Sequence, residues 1–354
     1  MRQEISIGKH RIGVNQPPFI IAEISGNHHQ SLDEALKLVQ AAKDAGVHAI
    51  KIQTYTPDTI TLNRRDNEFF IADEKSLWKG KSLYELYQEA HLPWEWHRPI
   101  FELCKKLGLI CFSTPFDETA VDFLEELEVS CYKIASLEIV DIPLIRKVAA
   151  TGKPLIISTG TSTLTEIGEA VKAAQESGCQ ELILLKCTSA YPASPADANL
   201  KTLPHLSACF GTLVGLSDHT LGIGVALAAV ALGACVVEKH FTLSRDSGGV
   251  DDAFSLEPHE FKSLVVESER AWQALGSIQY APLKTEAVSF SHRPSLYFDS
   301  DLAKGEIVCA KHVRSVRPGN GLPPKELENI IGLTVAKDVK RGTPVSWDVF
   351  KNQT

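Results

Sequence analysis

The sequence has no Cys-x-x-Cys pair, no excess of positive charge, no apolar stretch at its N-terminus and no unbroken run of membrane length. Each absence argues against a class of protein. The eight cysteines are scattered, and Cys111, Cys131, Cys187 and Cys235 lie inside apolar strand-like runs, where cysteine behaves as a small hydrophobe. They read as reduced thiols, not a disulfide framework, which points to the cytoplasm. A net charge of −8 argues against non-specific nucleic-acid binding, which needs a basic face. It leaves room for an anionic small ligand, because a few lysines can reverse the field inside a cleft. Residues Met1-Arg2-Gln3-Glu4-Ile5 carry charge where a signal peptide needs its apolar core. The membrane-length candidate, Leu221 to Val237, is rich in Gly and Ala, is interrupted at Gly233 and lacks basic flanks. It reads as a buried helix followed by a buried strand, with no membrane partner.

What is present alternates. With 354 residues, 44% hydrophobic and 23% charged, the chain can bury a large core, and its length allows one large and one small domain. Eight short apolar segments recur, at 19–24, 49–53, 110–114, 131–134, 155–158, 182–186, 214–217 and 236–241. Most show no polar alternation, as expected for parallel strands covered on both faces. Helical stretches lie between them. The clearest begins at Ser31, which forms a capping box with Glu34, and carries the stripe Leu32, Ala35, Leu36, Val39 and Ala42 to a stop at Gly46. Others are expected at 94–107, 118–127, 143–150, 164–177, 223–232 and 258–275. Eight such alternations over about 260 residues predict an α/β protein built on a TIM (β/α)8 barrel. An open doubly wound sheet is the competing architecture.

Two regions break this rhythm. Residues 55–83, carrying Arg64, Arg65, Trp78, Lys79 and Lys81, are too long for an ordinary connection and predict a lid or substrate loop. Beyond Leu275 the pattern changes to short apolar pieces punctuated by Gly and Pro. The expected division is a barrel domain over 1–280, a linker over 281–291 and a small, mostly β module over 292–354. Within that module Ala303-Lys304-Gly305-Glu306-Ile307-Val308 and Val339-Lys340-Arg341-Gly342-Thr343-Pro344-Val345 read as two versions of one element.

In a β/α barrel the strand ends carry the chemistry. His219 ends Gly215-Leu216-Ser217-Asp218-His219, and His240 ends Val236-Val237-Glu238-Lys239-His240. Consecutive strands would therefore present two imidazoles at one rim, where they can hold a divalent metal. Core histidines bonded to their neighbours are the alternative. Glu23, a carboxylate inside an apolar run, is a candidate third ligand or general base. Lys51, Lys133, Lys186 and Lys239 lie in strands, and a buried charge needs a counter-charge. Either Glu23, Glu138 and Glu238 supply it or an anionic ligand does. Ser113, Thr114, Ser136, Ser158 and Ser217 add hydroxyls at the same rim and favour the ligand, since lysines with hydroxyls grip phosphate and carboxylate. Gly160 would let backbone approach such a ligand closely. Asp251, in Gly248-Gly249-Val250-Asp251-Asp252, is placed to orient a sugar hydroxyl or simply to make a turn.

The blocks Ile21-Ala22-Glu23-Ile24-Ser25-Gly26-Asn27-His28, Lys51-Ile52-Gln53-Thr54, Phe112-Ser113-Thr114-Pro115-Phe116 and Lys133-Ile134-Ala135-Ser136 are part of a larger pattern. It continues through Ser158-Thr159-Gly160, Gly215-Leu216-Ser217-Asp218-His219-Thr220, Glu238-Lys239-His240-Phe241 and Arg317-Pro318-Gly319-Asn320-Gly321. In this order they resemble the nonulosonic (sialic) acid synthases, and the tail resembles the SAF, or antifreeze-like, domain of those enzymes. The resemblance implies a metal-dependent condensation of phosphoenolpyruvate with an acylamino-sugar aldehyde, releasing inorganic phosphate by C–O cleavage. The runs 77–87 and 250–256 are similar to the branch that uses 2,4-diacetamido-2,4,6-trideoxy-L-altrose, and Ser189 stands where N-acetylneuraminate-forming enzymes usually carry Asn. N-acetylmannosamine and the legionaminic precursor are the other sugars in the family.

By the same resemblance, Lys51, Gln53, Thr114, Lys133, Ser136, Ser158, Ser189 and Ser217 would hold phosphoenolpyruvate. His219 and His240 would bind Mn²⁺, or Mg²⁺ or Co²⁺, and Glu23 would position or deprotonate the attacking water. Glu138, Tyr191 and Asp251 would contact the sugar, and Arg317 would reach a neighbouring barrel in a domain-swapped homodimer. Facing a trianionic substrate, the lysines would need no internal partners. Two readings from other classes stay open: a Schiff-base aldolase using Lys133 or Lys186, and a non-enzymatic scaffold whose tail is a binding module.

Overall fold

The computed structural model describes residues 4–74 and 76–350. Lys75 of the expected lid and the outermost residues of the two expected domains, 1–3 and 351–354, lie outside the described residues. The chain divides into two compact units, Met1–Gly276 and Ser277–Thr354.

The first unit opens with an antiparallel hairpin of β1 (Glu4–Ile7) and β2 (His10–Gly13). Eight parallel strands follow: β3 (Phe19–Glu23), β4 (Ala49–Thr54), β5 (Ile110–Pro115), β6 (Tyr132–Ile134), β7 (Leu155–Ser158), β8 (Leu182–Cys187), β9 (Leu213–Asp218) and β10 (Val236–His240). β10 pairs with both β9 and β3, so the sheet closes into a barrel and the open-sheet alternative falls. The helix Leu32–Ala45 starts at the Ser31 cap and stops at Gly46, whose φ of 89° suits glycine. Helices at Trp94–Leu107 and Pro258–Leu275 lie where the apolar stripes place them.

Two helices of eight or more residues lie outside the expected stretches, Leu83–Ala90 and Thr202–Phe210, beside three short ones at Pro57–Ile60, Ala287–Ser291 and Leu327–Ile330. The first opens on a capping box of Ser82 and Glu85 that the sequence displays. The second buries only Leu203 and Leu206, too narrow a stripe to reveal a helical period. The suspected membrane run resolves into the helix Gly224–Ala231 and strand β10. Among the described residues no helix is long and apolar enough to cross a membrane.

Successive side chains of a strand point to opposite faces. Ile20, Ala22, Ile50, Ile52, Ile134, Leu184, Leu216 and Val237 pack with the surrounding helices in one core. Ile21, Ala49, Phe112, Ile156, Ile183, Leu185, Leu213 and Val236 form another with Ile5, Ile7 and Ile12 of the hairpin. The hairpin thus plugs the barrel floor, and the interior is apolar along the lower inward positions of the strands.

The second unit pairs β11 (Ser295–Phe298) with β12 (Val313–Val316) antiparallel over a core that includes Leu296, Phe298, Val308, Val335 and Val345. The two look-alike segments are structural repeats. Each turns at a glycine of positive φ, Gly305 at 95° and Gly342 at 86°. Each then buries a valine, Val308 or Val345, and ends in a single helical turn, Ala310–His312 or Trp347–Val349. Leu302 and Val339 pair with each other across the repeat.

Gly215 on β9 tests the tightness of the barrel. A Cβ there would lie 2.4 Å from the Val236 carbonyl oxygen and 2.7 Å from Leu185 Cδ2. Gly215→Ala is expected to destabilise the first unit by about 1–3 kcal/mol, read as a lower thermal midpoint; an unchanged midpoint would contradict this packing.

Candidate active site

Extending each inward series by one alternation changes its chemistry. Ile21 is followed by Glu23, Ala49 by Lys51, Phe112 by Thr114, Cys131 by Lys133, Ile156 by Ser158, and Leu185 by Cys187. On the last two strands Gly215 leads to Ser217 and His219, and Val236 leads to Glu238 and His240. Closure of the barrel therefore gathers these polar groups in one mouth above an apolar plug.

The charges in that mouth are paired. Lys51 Nζ lies 2.6 Å from Glu23 Oε2 and 3.6 Å from Glu238 Oε1, and it donates to Thr114 Oγ1 at 3.4 Å. Lys133 Nζ reaches the same Glu238 oxygen at 3.5 Å, and Ser217 Oγ donates to it at 3.3 Å. Gln53 Nε2 donates to Glu23 Oε1 at 3.0 Å and to Ser25 Oγ at 3.1 Å. Burial pushes Glu23 above the ordinary carboxylate value, Lys51 opposing it and Glu238 adding to the rise. Burial also raises Glu238, but Lys133, Lys51 and His219 outweigh it and hold that carboxyl low. Burial lowers Lys133 more than Glu238 restores it.

Two expectations are corrected here. Lys51 and Lys133 do have internal partners, because a charge this deep needs a counter-charge even without ligand. Lys186, Lys239 and Ser113 stand on the outward parity of their strands and do not join the mouth. Lys239 pairs with Asp218 at 2.8 Å and donates to the Thr220 carbonyl at 2.6 Å. Lys186 donates to the Cys187 carbonyl at 2.7 Å and to Thr188 Oγ1 at 3.0 Å. Ser113 Oγ donates to the Ile52 carbonyl at 3.0 Å.

Beside the lysines lies a nest of hydroxyls. Gly160 N donates to Ser136 Oγ at 3.1 Å. A Cβ on Gly160 would sit 2.3 Å from Ser189 Oγ and 2.7 Å from Ser136 Oγ, so only glycine leaves this space open. Ser158 Oγ is buried without a hydrogen-bond partner. A buried hydroxyl without a partner, at a mouth that also holds two lysines, describes a place for an anion.

The two imidazoles face each other with ring centroids 5.3 Å apart. His219 Nδ1 meets the Thr188 carbonyl at 2.9 Å, which puts the proton on Nδ1 and leaves Nε2 as the free nitrogen. His240 Nδ1 is buried without a hydrogen-bond partner, 3.7 Å from Asp251 Oδ2. Burial, then His219 and the nearby lysines, drives the His240 imidazole well below its ordinary value, so it is neutral. Burial pulls the His219 imidazole down, but Cys187, the Thr188 carbonyl and Glu238 outweigh it and hold the ring above its ordinary value. A metal would displace that proton, and the two rings beside the Asp251 carboxylate are then donors that suit a divalent transition metal. Among the described residues no group of three or more His, Cys, Asp or Glu converges on a single metal position, so further ligands would come from water or substrate.

The candidate sugar contacts lie on connections beyond the strands. The Tyr191 ring lies tilted against His219 and Phe254, with ring centroids 4.4 Å and 5.2 Å away. Asp251 accepts from Ser25 Oγ, and Asn27 Oδ1 accepts from its backbone N–H at 3.1 Å. Glu138, on the helical turn Leu137–Val140, keeps Oε2 buried and unpartnered, and burial lifts its carboxyl to about 7. Arg317 belongs to the second unit, where it is exposed after β12.

Sequence reasoning missed three participants. Ser25 and Asn27 brace Asp251 and sit inside a quoted motif without an assigned role. Cys187, read as a plain hydrophobe, has Sγ 3.9 Å from His219 Nδ1. Burial raises its thiol, but His219, Ser136 and Lys133 bring it down to about 7. Its inward parity was the available signal.

Comparison with known proteins gives the family. The NeuB family model matches residues 38–280, and the SAF domain matches residues 293–351. The chain is 42% identical over 335 residues to a pseudaminic acid synthase of Helicobacter pylori, covering 94% of this chain and 98% of that one. It is 44% identical over 336 residues to a pseudaminic acid synthase of Campylobacter jejuni, covering 94% and 96%. The structure of an N-acetylneuraminic acid synthetase from Leptospira borgpetersenii, in complex with citrate, superposes with a TM-score of 0.72 at 36% identity, covering 81% of this chain and 95% of that one.

Glu138 gives the site a pH signature. Its carboxyl is raised from 4.5 to about 7, so the folded state holds the proton more tightly than the unfolded chain. Stability is therefore lost as pH rises through that window, by at most about 3 kcal/mol. Glu138→Gln is expected to match wild type in urea denaturation near about pH 5 and to exceed it by about 1–3 kcal/mol near pH 8. Equal stability at both pH values would refute the assignment.

Proposed function

This chain belongs to the NeuB family, and from that premise we propose that it condenses phosphoenolpyruvate with 2,4-diacetamido-2,4,6-trideoxy-L-altrose and water, giving pseudaminic acid and inorganic phosphate. The observation that carries the reading is the shared inward parity of Glu23, Lys51, Lys133, Ser158, Ser217, Glu238, His219 and His240 at one barrel mouth. Similarity to two pseudaminic acid synthases over 94% of the chain supports the choice of sugar.

Lys51 and Lys133, with Thr114, Ser136, Ser158, Ser189 and Ser217, supply charge and hydroxyl donors for the carboxylate and phosphate of phosphoenolpyruvate. Its C3 attacks the sugar's aldehyde carbon to form the new C–C bond, and the aldehyde oxygen takes up a proton. Glu23, held by Lys51 and Gln53, accepts a proton at its carboxylate from the water adding to C2. Its raised basicity suits that task. The bond between C2 and the phosphate oxygen then breaks and inorganic phosphate leaves. His219 and His240 would hold a divalent ion such as Mn²⁺, which when bound supplies Lewis acidity toward the aldehyde. Glu138, Tyr191 and Asp251 orient the sugar. The proposal includes a cytoplasmic setting, supported by thiols buried within strands, and a swapped homodimer in which Arg317 completes the partner's site.

Incubating the protein with phosphoenolpyruvate and each candidate sugar, scoring phosphate release and product mass, tests the reaction. His219→Ala and His240→Ala are each expected to abolish phosphate release and to weaken Mn²⁺ binding in calorimetric titration; near-wild-type turnover in either variant refutes the ligand role. Arg317→Ala and His240→Ala, each inactive alone, should regain part of the activity after mixing and subunit exchange, since one site of the heterodimer is then intact. No recovery despite demonstrated exchange rules out the swapped arrangement.

A further inference from the structure

The excursion over 55–83, expected from its length to be a lid, carries Arg64, Arg65, Trp78, Lys79 and Lys81, and the structure separates them. Arg64 pairs with Asp66, Arg65 with Glu85, Lys79 with Glu74 and Lys81 with Glu89, all on the exposed surface of the excursion. Trp78 does something different. Its indole Nε1–H donates to the Val250 carbonyl at 3.0 Å, in the loop after β10 that also carries Asp251. Its ring lies 6.2 Å from that of Tyr191, which in turn lies tilted against His219. Phe254 continues the same wall, 5.2 Å from Tyr191 and 5.0 Å from His240.

Backbone bonds hold the segment that carries Trp78. Ile71 N donates to the Lys81 carbonyl at 3.0 Å, and Gly80 N donates to the Ile71 carbonyl at 2.9 Å. Trp78 is thus presented to the barrel mouth from a fixed turn, half-buried and tied at its polar edge.

We propose that Trp78, with Tyr191 and Phe254, forms an apolar wall of the sugar subsite and selects acylamino sugars by the methyl groups they present. The role rests on the function proposed above. Aromatic faces accept C–H groups well and give a hydroxyl only a weak acceptor in place of its hydrogen bonds to water. Burial keeps the Tyr191 phenol above its ordinary value and hence neutral, so the wall carries no charge. A 6-deoxy sugar with two acetamido groups places methyls against such a surface, whereas N-acetylmannosamine places a hydroxymethyl there. Contacts of this kind discriminate by about 10- to 200-fold.

The test is steady-state kinetics of wild type, Trp78→Ala, Trp78→Phe and Lys79→Ala, varying phosphoenolpyruvate and sugar separately. Trp78→Ala is expected to raise KM for the diacetamido sugar about 10-fold or more, with KM for phosphoenolpyruvate nearly unchanged. Trp78→Phe should shift it less, and Lys79→Ala should not shift it. Tryptophan emission supplies a readout without turnover: sugar should quench wild type more than Trp78→Phe. If Trp78→Ala does not fold, the Phe variant and the quenching difference decide alone. An unmoved sugar KM, or equal rises for both substrates, makes Trp78 a structural strap and overturns the proposal. A wild type that releases no phosphate with any sugar sinks the reaction itself, and this role with it.

Discussion

The two-residue alternation of a closed parallel barrel is the constraint from which the rest of this molecule follows. Because the hairpin plugs the floor with Ile5, Ile7 and Ile12, the interior is dry below and polar only toward the upper inward positions. Four charges share that dry mouth, and no arrangement of them is tolerable unless each has a partner. Glu238 is the joint, accepting both Lys51 and Lys133. Two cations against two carboxylates leave the nest close to neutral. A trianionic substrate would therefore be held by directed donors and by an added cation. Selectivity in such a nest comes from geometry more than from net charge.

The opposite parity does the structural work for the imidazoles. Asp218 and Lys239 stand directly across from each other in the register of β9 and β10. Each precedes one of the two histidines. Their ion pair, buried at 1% and 2% side-chain exposure, pins the strand ends together on the outer face. Removing one member would strand a buried charge at a cost of about 3–5 kcal/mol. The separation of the two rings inside is thus set by a bond outside.

Much of this was legible in sequence. Strands buried on both faces read as unbroken apolar runs, so all eight were placed to within one or two residues. Glu23, Lys51 and Lys133 stood out as charges inside such runs, and the mouth contains all three. What failed was the treatment of every strand lysine as equivalent. Lys186 and Lys239 differ from Lys51 and Lys133 by one step of alternation, and that step decides whether a charge meets substrate or a structural partner. Counting parity from the apolar inward residues would have separated them, and would also have moved Cys187 from the core to the site. The helix Thr202–Phe210 was illegible for a different reason: with Leu203 and Leu206 as its buried residues, it has no stripe to detect. The pairing of Glu238 with both lysines depends on barrel curvature, which no local pattern encodes.

The division of labour between strands and connections bears on how such an enzyme can change substrate. The groups proposed to handle phosphoenolpyruvate are mostly strand residues or lie immediately beyond strand ends, locked by register and by mutual ion pairs. Moving any one of them disturbs the charge balance of all. The groups proposed for the sugar sit on connections: Glu138 after β6, Tyr191 after β8, Asp251 after β10 and Trp78 on the excursion after β4. Connections tolerate substitution and insertion with little effect on the barrel. A family built this way can keep one phosphate chemistry while exchanging the sugar it accepts. For that reason the similarity of the runs 77–87 and 250–256 carries more weight for substrate than the longer similarity of the barrel strands.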